Sequence, residues 1–164
     1  MDIIIPQDFL PSLKNKHLLL DANVFRDAFN KPTIFTTFFN QLQSNDTTLV
    51  TIDLVKYELL KGSTTATKYE EREKAISEII DATLPITEKT HGLVSELIIL
   101  YGEYGAALSL TDLFLGATLN QYRKNIYLLT RDTTDFIEKI FNLSCILNLP
   151  HSKGIITYGV YTAK

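Results

Sequence analysis

Apolar residues along this chain fall into short runs that stop at polar residues, alternating with longer stretches in which apolar positions recur every three or four residues. The run His17 to Leu20 ends at Asp21, Thr48 to Ile52 ends at Asp53, and Ile126 to Thr130 ends at Arg131 and Asp132. All three are predicted to be buried strands, with a fourth from Ser144 to Leu149. Helical spacing covers Pro32 to Gln43, Leu54 to Lys61, Lys68 to Ala82, Thr87 to Tyr104 and Thr111 to Lys124. Thr111 is the expected N-cap of the last of these, Asp53 is better suited to cap the second than to bind a ligand, and Gly62 is placed to stop it. A short further helix is expected to begin near Asp135 and to contain Phe136, Ile137 and Ile140. The segment Gly154 to Thr162 has strand composition and reads as an edge strand. Short apolar strands alternating with longer helices indicate an α/β fold, a central mainly parallel sheet flanked by helices. Such folds place their sites at the carboxyl ends of the strands.

Composition narrows the possibilities. The 164 residues are 45% hydrophobic and 21% charged, enough apolar material for one core, and no Pro/Gly/Ser-rich stretch splits them; residues 1–164 are expected to form one domain. The single cysteine, Cys145, allows neither an internal disulfide nor a thiolate zinc site. Apolar runs such as Leu97 to Tyr101 are too short for a membrane span, and the N-terminal run has an acid where a secretory signal carries bases, so a cytoplasmic protein is expected. The net charge of −3 weighs at first against a nucleic-acid partner. With five acids neutralised by metal, however, the remainder of the chain is slightly basic.

Five acids stand out by their neighbours. Asp21 follows three leucines at the end of a buried strand, where it either caps the next helix or enters a site. Glu58 shares a helix face with Leu54 and Val55, so it needs a cation or an ion pair with Lys61 or another base. Asp112 lies on one face with Leu115, Gly116 and Leu119, although an acid in a first helical turn also suits the helix dipole. Asp132 and Asp135 follow the third strand at the same sheet edge as Asp21. Asp132 is expected to turn its carboxylate toward Asp21, and Asp135 to cap the helix behind it or hold a metal-bound water. Several acids at one edge repel one another until cations relieve them, and oxygen-only ligands suit magnesium or manganese rather than zinc. The residues His17, His91 and His151 are scattered and read as structural or solvated. The charged run Lys68 to Lys74 reads as a solvated helix face. Phe35, Phe38 and Phe39 read first as core, with a ring beside Phe29 as a possible groove for a partner helix.

Four segments together resemble a PIN-domain nuclease, in particular the toxin of VapBC-type toxin-antitoxin pairs. They are LLLDANVF from Leu18, YELLKG from Tyr57, LTDLFLGAT from Leu110 and LLTRDTTDF from Leu128, spanning about residues 18–136. The resemblance implies an acidic quartet of Asp21, Glu58, Asp112 and Asp132, with Asn23 and Thr130 as supporting polar positions. It implies metal-dependent hydrolysis of RNA and a small antitoxin as partner, and it leaves room for a homodimer. Arg26, Lys56, Lys61 and Arg131 lie near the acids and are candidates for phosphate contact. The chain departs from the compact toxins in its charged segment Thr64 to Ala82, its N-terminal leader and its tail after Phe141. A non-catalytic PIN-like interaction module is the alternative, against which the full acid set counts. A phosphatase of the haloacid dehalogenase type would need a second aspartate where this chain has Asn23.

Overall fold

The computed structural model describes residues 1–164. Its elements run α1 (Phe9–Leu13), β1 (His17–Leu20), α2 (Ala22–Asn30), α3 (Pro32–Ser44), β2 (Thr48–Ile52), α4 (Asp53–Leu60), α5 (Ala66–Ile79), β3 (Ala82–Leu84), α6 (Glu88–Glu103), α7 (Leu110–Tyr122), β4 (Ile126–Thr130), β5 (Phe141–His151) and β6 (Gly154–Ala163). They build a six-stranded sheet in the order β3-β2-β1-β4-β6-β5. The first four strands in that order are mutually parallel, while β6 is antiparallel to both β4 and β5. The architecture is the expected α/β one, with helices flanking a central sheet.

Side-chain chemistry accounts for most of the local choices. Helix α3 starts with Pro32 in its first turn, where a missing N–H has no consequence. It buries Phe35, Phe38, Phe39 and Leu42 along one stripe. Helix α7 buries every residue from Leu113 to Leu119, as a helix enclosed on all sides must. Gly116 is required there, because a Cβ would come within 2.9 Å of the Phe141 ring and 3.1 Å of Leu97. Helix α5 buries only Ile76, so its charged run is the solvated face that its composition indicates. A contiguous cluster of 39 buried apolar side chains joins the parallel and antiparallel parts of the sheet.

Five local expectations are corrected. Helix α5 ends at Ile79 instead of Ala82, and the next residues form β3, a three-residue strand beside β2. The C-terminal strand is not at the edge: β6 lies between β4 and β5, and Tyr158 to Tyr161 are buried at four successive positions, which requires cover on both faces. The N-cap of α7 is Ser109, whose hydroxyl accepts from the Asp112 N–H, not Thr111. Asp53 is the first residue of α4 and does not cap it; its carboxylate lies 3.8 Å from Lys56. Finally, no helix forms at Asp135 to Ile140. The Asp132 carboxylate instead accepts from the N–H groups of Thr134 and Asp135, both at 3.3 Å, and holds the segment as a turn.

Candidate metal centre

Strand β1 delivers Asp21 to the carboxyl edge of the sheet, where it also begins α2. One carboxylate oxygen accepts from the Ala22 N–H at 2.6 Å, and the other accepts from Thr130 Oγ1 and Asn23 Nδ2, both at 2.7 Å. Asp21 thus caps α2 while standing at the sheet edge where the other acids lie. Thr130 ends β4 and is fully buried; its hydroxyl oxygen accepts the Asp132 N–H at 2.9 Å. Asn23 Oδ1 accepts the Arg131 N–H at 3.0 Å. Asn23 and Thr130 thus tie the start of α2 to the loop after β4. Burial pushes the Asp21 pKa up and the nearby Glu58 charge adds to this, while the three hydrogen bonds oppose it.

Across that edge, α7 presents Asp112 in its first turn, with one carboxylate oxygen accepting from Ser109 Oγ at 2.6 Å. Its carboxylate, Asp132 and Asp135 converge, each offering an oxygen within 4.8 Å of the others. Burial raises the Asp112 pKa, and the charges of Asp21 and Asp132 raise it further. The Asp135 carboxyl is pushed up to about 6 by burial and by its neighbours Asp132 and Asp112. Asp135 therefore belongs to the cluster itself and caps no helix. Asp21 lies outside this tight group, close enough for its charge to act on Asp112.

Glu58 projects from α4 toward Asp21 and is held by Arg26, with Nη2 2.9 Å from Oε1. Its base is Arg26 and not Lys61, because α2 packs beside α4 and brings that guanidinium across. Of the candidate phosphate contacts, Arg26 is engaged by Glu58, Lys56 is near Asp53, and Arg131 is bonded to Asp27 at 3.1 and 3.3 Å. Lys61 makes no ion pair.

Asp27 is a residue that sequence reasoning missed. It is buried, and it accepts from Arg131 and, at 2.7 Å, from the Tyr158 hydroxyl. It stands three residues after Val24 and next to Ala28, on the apolar face of α2, which is the same signal that singles out Glu58. Two more tyrosines hold the acidic loop: Tyr101 donates to the Asp135 carbonyl at 2.6 Å and Tyr161 to that of Thr133 at 3.3 Å. Burial pushes the Tyr101 hydroxyl up to about 12, so it remains a donor at all physiological pH values. Tyr161 can lie flat along β6 because Gly159 leaves room; a Cβ at that position would collide with its ring. Asp27→Ala leaves the Tyr158 hydroxyl and the Arg131 guanidinium without their shared partner, and it should destabilise the protein by about 2 kcal/mol, after discounting for the partly exposed arginine. Denaturant unfolding checks this, and an unchanged midpoint would show that the network holds nothing.

The donor set fits a hard divalent cation. All the groups are carboxylate oxygens, no side-chain cation sits among Asp112, Asp132 and Asp135, and the pKa values of Asp112 and Asp135 are raised by burial first and then by neighbouring negative charges, a repulsion that a cation would relieve.

Comparison with known proteins places the architecture. The sequence model of the PIN domain matches residues 18–140. No curated protein sequence matches the chain. Among solved structures, that of VapBC2 from Rickettsia felis, bound to a DNA fragment from their promoter, contains a similar chain. The two share 17% identity with a TM-score of 0.59, over 73% of this chain and 90% of that one, which is a likeness of fold. The matched stretch takes in β1, the helices carrying Glu58 and Asp112, and the whole acidic loop, and the chain belongs to the PIN-domain family.

Proposed function

We propose that this protein, acting through residues 1–164 as a single domain, is a cytoplasmic endoribonuclease that depends on magnesium or manganese. The observation that carries the reading is the convergence of Asp112, Asp132 and Asp135, with carboxylate oxygens within 4.8 Å and no basic side chain paired with them. In this reading these three acids hold the ion, with Asp21 and Glu58 completing the acidic edge. When bound, the ion supplies acidification of a water and neutralisation of phosphate charge. Thr130 and Asn23 keep the Asp21 carboxylate oriented by donating to its outer oxygen. Ser109 does the same for Asp112. Asp132 spends one oxygen on the Thr134 and Asp135 N–H groups, fixing the loop, and keeps the other available. Arg26 and Lys61 are the bases best placed to meet the RNA backbone, Arg26 by leaving Glu58.

Proton competition gives a test independent of catalysis. The Asp135 carboxyl has its folded-state pKa raised, so its protonated form favours the fold. Its contribution to stability is present at a pH below about 4 and is lost as pH rises through about 6. A cation replaces that proton near neutrality. The rise in Tm on adding manganese should therefore be largest near neutral pH and shrink toward zero near a pH of about 4. An equal rise at both pH values would place the ion elsewhere. Hydrolysis of labelled RNA separates this reading from a non-catalytic interaction module.

A second reading concerns the partner. The likeness to a chain of the VapBC2 complex supports a toxin controlled by a small antitoxin. A groove of about 510 Å³ between α3 and α5, lined by Phe29, Phe35, Phe39 and Ile79, is of a kind that accepts an amphipathic helix.

A further inference from the structure

The end of the sheet opposite the acids carries a different chemistry. Between α7 and β4 the chain opens a groove of about 560 Å³, lined by Lys16, Arg123, Lys124 and Lys164 with the rings of Tyr122 and Tyr127, and by no acidic side chain. None of the four bases makes an ion pair. In a chain of net charge −3, basic side chains gathered around one concavity with no acidic side chain beside them are a local field of the opposite sign. Lys16 precedes β1 and Asp21 follows it, which separates groove and acids by roughly 16 Å at ~3.3 Å per residue.

Arg123 adds a second observation. Its backbone has φ 48° and ψ −123°, a conformation that suits glycine, and its guanidinium reaches the Lys164 carbonyl at 3.4 Å across the groove. Lys16 lies 5.3 Å above the Tyr127 ring. Cations interleaved with aromatic rings in a concave surface are the means by which proteins track a single strand, phosphates on the bases and nucleobases on the rings. A flat anionic membrane would not enter the concavity, and an acidic peptide would have no use for the rings.

We propose that this groove binds the phosphodiester backbone of single-stranded nucleic acid, as a second contact remote from the acidic edge. The choice of ligand rests on the nuclease reading, and the experiment separates the two. The variant Arg123→Gly/Lys124→Gln removes two cations, relaxes the backbone at position 123, and leaves the acids and the folded core alone. Binding of a fluorescent single-stranded RNA of about 12 nucleotides is measured by anisotropy in EDTA, where cleavage plays no part. Affinity should fall on the order of tenfold, and the slope of log K against log salt should fall by roughly 1.4, about 0.7 for each lost phosphate contact. The melting temperature should not fall, and a short dinucleotide substrate should be cleaved at the wild-type rate. Unchanged affinity and slope would overturn the proposal, as would displacement of the RNA by polyglutamate at equal charge. Loss of RNA binding in the variant, with a wild-type protein that cleaves nothing, would uphold the groove and sink the nuclease reading.

Discussion

Replacing Asp112 by asparagine should abolish RNA cleavage and leave the protein as stable as before, or more so. The carboxylate is half-buried, stands with Asp132 and Asp135 at the converging point of the acids, and has its pKa raised by burial and by the charges of Asp21 and Asp132. Removing its charge weakens the hold on a cation that stabilises several kcal/mol of developing charge, so a rate loss on the order of 10³-fold is expected. The same removal relieves repulsion in the metal-free protein. Asparagine keeps an oxygen for the Ser109 hydroxyl, so the start of α7 is not disturbed. Steady-state cleavage and metal-free thermal melting read the two halves separately. A large fall in Tm would mean that Asp112 serves the helix and not a site.

Asp21→Asn should lose cleavage to a similar degree but pay in stability, and the contrast is informative. Both Asp21 oxygens face donors, the Ala22 N–H on one side and Thr130 with Asn23 on the other. Whichever way an asparagine amide is turned, its NH₂ meets at least one of those donors in a buried place. A buried donor facing a donor costs ~1–3 kcal/mol, partly offset because a buried charge is removed. A net loss of about 1 kcal/mol, or roughly 3 °C in Tm for a chain of this size, is expected. A variant more stable than the wild type would show that repulsion dominates at Asp21 as it does at Asp112.

Three of the four parallel strands were legible because β1, β2 and β4 are buried on both faces and therefore mainly apolar, each stopping at a polar residue on the same edge. What depends on pairing across the chain was not. Three residues of β3 appended to a charged helix leave no period to read, and the place of β6 beside β4 follows from the register Leu129 to Val160, which no local pattern records. At the candidate site, Asp21, Glu58 and Asp112 could be found because each is an acid among apolar neighbours on a strand end or helix face. The loop Asp132 to Asp135 could not be built: the spacing of Phe136, Ile137 and Ile140 reads as a helix, but hydrogen bonds from Thr134 and Asp135 to one aspartate hold a turn. Asp135 is brought among the acids by that turn. Asp27, Tyr101, Tyr158 and Tyr161 carry the loop from three different elements, and only the apolar face of α2 gave a local sign of the first.

The central claim is that acids and a divalent cation together cleave RNA. The most direct measurement is the cleavage of end-labelled single-stranded RNA by the metal-free protein, titrated with manganese and then with excess EDTA. The account predicts no cleavage before metal is added, activity that rises to saturation with manganese, and complete loss on chelation. Cleavage undiminished in EDTA would contradict it, because the acids alone neither acidify water nor neutralise phosphate.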